Sequence, residues 1–337
     1  MRNGTYIYVN NSQIDDGATP TFTQEDVFKD EYFEPLLSLY KRRVSGELKT
    51  EKRSFKSGTM PKVLLWSKPL NRVFWNAQLV HINDGLCPLP CEVIFDEEKI
   101  ASADAVIIYL RNAKSPKDVL ESLSSRDFSQ PWIMLTFEAP PLANSVHLTQ
   151  YQTFDGFFNR TMMYRRDADI RVSHGFILNF KDAHILPSTW VVPHIKVPES
   201  GYRSLAVTFI SNCLAKSDRL IYIDLLRQYM PVDIYGKCGD LVCGESMYVE
   251  HMYDSTQDPC LKLAGENYLF FLAFENAFCD DYVTEKLYNL LHYPIIPVVR
   301  GLADYSRLLP PNSYIDATRY TPKELAEKLL FLQTHPK

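Results

Sequence analysis

The stretch Phe270 to Asn289, FFLAFENAFCDDYVTEKLYN, constrains the possible folds of this chain more than any other. An aromatic, apolar run stops abruptly on a carboxylate and an amide, Glu275 and Asn276. A short polar turn follows through Cys279, Asp280 and Asp281, and Thr284, Glu285 and Lys286 then open a helix. A buried strand that carries polar side chains to its C-terminal edge, opposite a helix N-terminus, is how open α/β sheets hold nucleotides. The helix start offers free N–H groups and partial positive charge to a phosphate, and Lys286 adds a full charge. A first-turn cation opposes the helix dipole, so the sequence predicts an anion beside it, a bound diphosphate. The competing reading is an amphipathic strand, turn and helix whose charges face water.

Similar apolar runs recur along the 337 residues. Lys62 to Trp66, Cys91 to Phe95, Ala105 to Tyr109 and Trp132 to Phe137 read as four buried strands with helical or turn segments between. A second set comprises Leu205 to Ser211, Val232 to Gly236, Tyr268 to Phe274, Ile295 to Val299 and Ser313 to Ile315. Between its first two strands, Ser217 to Tyr229 reads as an amphipathic helix N-capped by Ser217 or Asp218. Strands alternating with helices predict parallel sheets covered on both faces, two Rossmann-like α/β domains. The expected division is a stem over 1–60, with one short helix at 27–43, a first domain over 61–190, a linker over 191–204 and a second domain over 205–337.

Composition excludes several classes. A net charge of −5 argues against a nucleic-acid partner bound through a bulk positive field. No apolar run reaches 18 residues, so no spanning helix is legible, and the N-terminus lacks a signal-peptide pattern. The seven cysteines lack zinc spacing, and His147, His174 and His194 are isolated and read as structural. Sequons at Asn3, Asn10 and Asn159, together with the cysteines, lean toward a secretory, disulfide-permissive compartment. No GxGxxG, P-loop, GxSxG or HExxH motif occurs.

Other residues also carry possible chemistry. Glu138 follows an apolar strand and precedes Pro140 and Pro141, so it sits at a sheet edge, as a general base or as a cap of the next turn. Arg219 lies at a strand-to-helix turn, where a guanidinium either grips a diphosphate or pairs with Asp224 or its own helix face. Tyr235 and Gly236 close a strand, and the glycine permits close approach of a ligand. Asn276 and Glu285 suit sugar hydroxyls, and Tyr282 suits stacking or hydrogen bonding. Asp167-Ala168-Asp169 matches a metal-binding DxD, but Arg165 and Arg166 stand beside it. A structural arginine–aspartate network is expected there, with Arg166 reaching a donor or acceptor and Glu275 a further cleft residue.

The run with which we began closely resembles the FENS…DYxTEK signature of the α1,3-fucosyltransferases, with Ala277 in place of the serine. LTFEAP (Leu135 to Pro140), FNRT (Phe158 to Thr161), MYRRDAD (Met163 to Asp169), IIPVVRG (Ile295 to Gly301) and Leu308 to Leu329 resemble further family segments in the family's order. The resemblance covers residues 62 to 332 and implies the GT-B architecture and inverting transfer of fucose from GDP-fucose to an N-acetylglucosamine-containing glycan. It implies Glu138 as base, Arg219, Tyr235, Gly236, Asn276, Tyr282, Glu285 and Lys286 around the donor, and a Cys238–Cys260 disulfide. No cofactor or protein-held metal is expected, although Mn²⁺ can stimulate without one. The resemblance further implies a type II Golgi membrane protein facing the lumen, whose anchor and C-terminal tail lie outside this chain. A catalytically silent glycan- or nucleotide-sugar-binding relative is the alternative.

Overall fold

The computed structural model describes residues 5–9, 60–66, 91–110, 129–140, 156–179, 204–244 and 258–335. The expected 27–43 helix, residues 191–203 of the expected linker, Cys87, Asn3 and Asn10 lie outside the described residues. These residues fall into two compact units divided between Ser173 and His174. That boundary precedes the expected one at 190. The reason is a strand (Gly175–Asn179) that belongs to the second unit and pairs in parallel with Thr5–Val9, inside the expected stem.

Numbered along the chain, these strands are β1 (Thr5–Val9) and β8 (Gly175–Asn179). The first unit holds a parallel sheet of β2 (Lys62–Trp66), β3 (Glu92–Ile94), β4 (Ala105–Tyr109), β5 (Trp132–Thr136), β6 (Arg160–Met163) and β7 (Ile170–Arg171). Its order is β3-β2-β4-β5-β6-β7. Leu64, Val106, Ile108 and Trp132 are buried together in its core, with Phe157 set edge-on to Trp132.

The second unit's main sheet comprises β9 (Ser204–Phe209), β10 (Val232–Tyr235), β11 (Tyr268–Phe274), β12 (Ile296–Arg300) and β13 (Ile315–Asp316), in the order β10-β9-β11-β12-β13. All pairs are parallel. Side chains alternate across the pleat, which is why β11 is apolar at every position. Phe270, Leu272 and Phe274 bury into one cluster and Phe271 and Ala273 into another. Helices α1 (Arg219–Leu226) and α4 (Pro322–Thr334) supply Ile223, Leu226, Leu325 and Leu329 to the first cluster. Helix α2 (Pro259–Asn267) supplies Leu261 and Ala264 to the second. Each fully buried Phe or Leu contributes roughly 1.5–3 kcal/mol, so β11 is the unit's main apolar anchor.

Local chemistry fixes the helix starts. Thr321 and Glu324 form a reciprocal capping box at α4, with Pro322 in the first turn. Asp258 caps α2 through Cys260 and Leu261 N–H. Helix α1 departs from expectation. Asp218 is its N-cap but has φ 50 in place of the extended backbone that side-chain capping uses, and makes no side-chain cap bond; the Ser217 hydroxyl is committed to the Glu275 carbonyl.

Candidate functional site

Strand β9 is flanked by β10 on one side and β11 on the other, so the sheet's winding direction reverses between β9 and β11. The turns leaving these two strands therefore border a topological switch point, where doubly wound sheets bind ligands. Short bonds latch the turns together. Ser217 donates its N–H to the Asn276 carbonyl (3.2 Å) and its hydroxyl to the Glu275 carbonyl (2.6 Å). Arg219 donates Nη1 to the Phe274 carbonyl (3.0 Å) and Nη2 to the Asn212 carbonyl (3.2 Å).

Arg219 is only 3% exposed, and its bonds run to main-chain carbonyls rather than to Asp224 or its own helix face. Burial lowers its pKa, while Glu275 and Glu285 favour its charged form. Its Nε and the Oδ1 of Asn276 are buried with no hydrogen-bond partner among the described residues. Buried polar atoms are normally satisfied, so these two at a switch point suit a polar ligand.

Residue Glu275 is 1% exposed and braces the turn from inside. Its two carboxylate oxygens accept from Thr284 N–H and Oγ1, both at 2.8 Å, and one lies 3.5 Å from Lys286 Nζ. Lys286 Nζ also donates to Thr284 Oγ1 (2.7 Å) and Glu285 Oε1 (3.0 Å). This corrects one expectation: the anion beside Lys286 is internal, the pair of glutamates. A second correction concerns the helix. It spans a single turn, α3 (Glu285–Tyr288), so its dipole is small, and the Thr284 N–H is already bound to Glu275. Glu275 is correspondingly a buried brace rather than a cleft residue.

Burial works against ionised Glu285, but the Lys286 ammonium and then His174 outweigh it and hold its pKa at about 2. Burial likewise opposes charged Lys286, and Glu285 and Glu275 overcome it, raising its pKa. The lowered Glu285 pKa means its charged pairing stabilises the fold above its ordinary 4.5 and that this contribution is lost as pH falls toward about 2. Lys286 acts oppositely, contributing below its ordinary 10.5 and losing its effect only as pH rises past its raised value. We therefore expect the thermal midpoint to fall between pH 4.5 and about 2, with a shallower fall in Glu285→Gln. Equal slopes in the two proteins would contradict the pairing.

Several expected donor contacts are absorbed by the fold. Tyr235 is buried against Phe209, and its hydroxyl meets that of Tyr268 (3.2 Å), so its side chain is core. Tyr282 is 1% exposed and set edge-on to His174, with no face left for stacking on a ligand. Gly236 has φ 98, and a Cβ there would sit 2.7 Å from the Ile210 carbonyl oxygen. Its close approach is to the β9 turn, not to a ligand. The same fold-back carries Cys238 to Cys213 (Cα–Cα 5.4 Å), while Cys243 reaches Cys260 at the start of α2 (5.7 Å). The expected Cys238–Cys260 bridge is thus replaced by two bridges, each closing a neighbouring pair of loops.

In the first unit, Glu138 lies two residues beyond β5 and is half-buried. Thr136 Oγ1 accepts from its N–H and donates to its carbonyl, both at 3.2 Å, fixing the backbone at the sheet's C-terminal edge. Asp167 is held bidentately by Arg165 at 2.7 Å. Asp169 accepts from Thr161 N–H (2.8 Å) and Oγ1 (3.0 Å) and faces Arg160 (3.5 Å). Both aspartates therefore serve the structural network the sequence suggested. Arg166 is half-buried beside them. Asn159 is exposed, and its Oδ1 accepts from Trp132 N–H (2.9 Å).

Sequence reasoning missed three participants. The sequence marks Ser217 only as a candidate N-cap and Thr284 only as part of the helix start and signature, without a bracing role for either. His174, read as isolated, places Nδ1 3.4 Å from Glu285 Oε2; only the tertiary pairing reveals it.

Two parallel-sheet α/β units, one bearing latched turns at a switch point, define the class: a GT-B-type glycosyltransferase fold. Family models described as "Fucosyltransferase, N-terminal" and "Glycosyltransferase family 10 (fucosyltransferase) C-term" match residues 58–175 and 200–337. The chain belongs to that fucosyltransferase family. It is 38% identical over 294 residues to alpha-(1,3)-fucosyltransferase C of Drosophila melanogaster, an alignment covering 81% of this chain and 66% of the relative. It is 30% identical over 275 residues to the Homo sapiens 4-galactosyl-N-acetylglucosaminide 3-alpha-L-fucosyltransferase FUT6, covering 80% and 68%. The chain thus spans about two thirds of these relatives' length. A crystal structure of an alpha1,3-fucosyltransferase aligns with a TM-score of 0.52 at 16% identity, covering 90% of this chain and 85% of the other, and shares the fold. A structure described as alpha1,3-fucosyltransferase with GDP-fucose aligns with the same TM-score at 15% identity.

Proposed function

We propose that this chain is an inverting α1,3-fucosyltransferase that moves fucose from GDP-fucose to the 3-hydroxyl of N-acetylglucosamine in a glycoprotein or glycolipid glycan. The observation that carries this reading is the latched pair of turns at the β9/β11 switch point, with Arg219 Nε and Asn276 Oδ1 buried and unpartnered among the described residues, and Glu285 and Lys286 on the second turn. The family membership and the named activities of the relatives support it.

In this mechanism Glu138 takes the proton of the acceptor hydroxyl as its oxygen bonds to the anomeric carbon of fucose. The bond from that carbon to the β-phosphate oxygen breaks on the opposite face, inverting the centre. The electron pair leaves with GDP, and Arg219 and Lys286 stabilise the growing negative charge. Those cations take the part a metal plays elsewhere, so we expect Mn²⁺ to stimulate at most, without a protein-held site. Lys286 keeps Glu285 charged and in place, and Glu285 and Asn276 bind sugar hydroxyls. Among the described residues no helix is long and apolar enough to cross a membrane. We place the protein in the Golgi lumen as a membrane-attached protein, with Asn159 glycosylated.

Labelled GDP-fucose offered with chitobiose-core and N-acetyllactosamine acceptors tests the reading. The expected product carries fucose α1,3-linked to N-acetylglucosamine. Glycan binding without any transfer would favour the silent relative instead.

A further inference from the structure

Arg300 ends β12 at the same sheet edge, and the mechanism above makes no use of it. Its carbonyl accepts from Glu275 N–H (3.0 Å), which fixes the start of the β11 turn. Its side chain reaches the other turn, where Nη1 donates to the Ser217 carbonyl at 2.7 Å. The guanidinium lies over the rings of Phe278 (4.7 Å) and Tyr222 (4.8 Å). Tyr222 belongs to α1 and is pinned through its hydroxyl to the Tyr320 carbonyl (2.9 Å). Phe278 comes from the β11 turn itself. One side chain therefore touches the β9 turn, the helix that follows it and the β11 turn.

Its grip on Ser217 matters because of the residue that follows. Asp218 has φ 50, a left-handed conformation that is strained for a non-glycine residue and persists only where its surroundings enforce it. Arg219 comes directly after. Ser217 is held at its N–H by Asn276, at its hydroxyl by Glu275 and at its carbonyl by Arg300. The first two bonds come from residues of the shared family segment. The third comes from Arg300, at the end of the neighbouring strand β12.

We propose that Arg300 is a positioning residue: it holds the Ser217–Asp218 turn in its left-handed form and thereby aims the Arg219 guanidinium at the nucleotide diphosphate. This inference rests on the donor-site reading above. A lysine would keep the charge and one donor but lose the guanidinium's contacts with both rings.

The test is GDP affinity by calorimetry, with KM and kcat for GDP-fucose, in wild type, Arg300→Ala, Arg300→Lys and Phe278→Ala. Losing one charged hydrogen bond and the ring contacts is expected to raise the GDP Kd and the donor KM of Arg300→Ala about tenfold, with kcat changed far less. Arg300→Lys and Phe278→Ala should each raise both constants by roughly threefold. A lower thermal midpoint with wild-type Kd and KM in Arg300→Ala would make Arg300 merely structural and overturn the inference. If Arg300→Ala fails to fold, the milder pair decides, and wild-type constants in both refute it. A wild-type chain that binds no GDP overturns the functional reading itself, whereas wild-type binding with indifferent variants overturns only the role of Arg300.

Discussion

Glu138→Gln is expected to lower fucosyl transfer by about 10²–10⁴-fold, the usual contribution of a positioned general base. The substitution is nearly isosteric, and its amide cannot accept the acceptor proton at neutral pH. The GDP dissociation constant should stay within about twofold, because uniform binding is untouched when only a transition-state group is removed. Glu138 belongs to the first unit, whereas Arg219, Asn276, Glu285 and Lys286 belong to the second. The backbone bonds between Thr136 and Glu138 do not involve the carboxylate, so the strand end should survive the change. Initial rates with labelled GDP-fucose and GDP calorimetry measure the two effects. Wild-type turnover in the variant would remove Glu138 from the role of base.

What the sequence revealed and concealed divides along a physical line. Strands with contiguous apolar runs were legible: β2, β4 and β11 begin and end where their side-chain pattern does. Strand β11 is buried on both faces, and β2 and β4 are buried on one face and at least half-buried on the other; such runs have few other stable fates. The short strands β6 to β8 and β1 were not legible, because their pairing partners, near in β6 and β7 and distant in β1 and β8, define them rather than a sustained pattern of their own. The same distinction holds at the site. Residue types such as Arg219 and Lys286 marked the region, but not what each side chain touches. The sequence suggested a ligand as counter-charge for Lys286, yet Glu275 stands eleven positions before it on the far side of a turn. Tyr235 and Tyr282 carried a plausible polar handle, and only packing shows that their rings are spent on the core. The disulfides failed for the same reason, since connectivity follows loop proximity and not spacing.

Lys286→Met is expected to produce two separable losses. The ammonium sits 3.5 Å from Glu275, which is 1% exposed, and 3.0 Å from Glu285. Removing one partner of a buried pair leaves charge uncompensated and costs about 3–5 kcal/mol, so unfolding should occur at markedly lower denaturant or temperature. Loss of a charged hydrogen bond to the diphosphate should also weaken GDP binding, by about tenfold or more. One substitution cannot tell these apart, since a loosened turn would bind poorly anyway. Adding Glu275→Gln removes the stranded carboxylate while the amide keeps a hydrogen bond to the Thr284 hydroxyl. The double variant should therefore recover much of the stability, and the coupling between neighbours makes the effects non-additive. GDP affinity should stay low, because the cation is still absent. If affinity returned together with stability, Lys286 would serve only to neutralise the two glutamates, and the charge that meets the leaving group would be Arg219 alone.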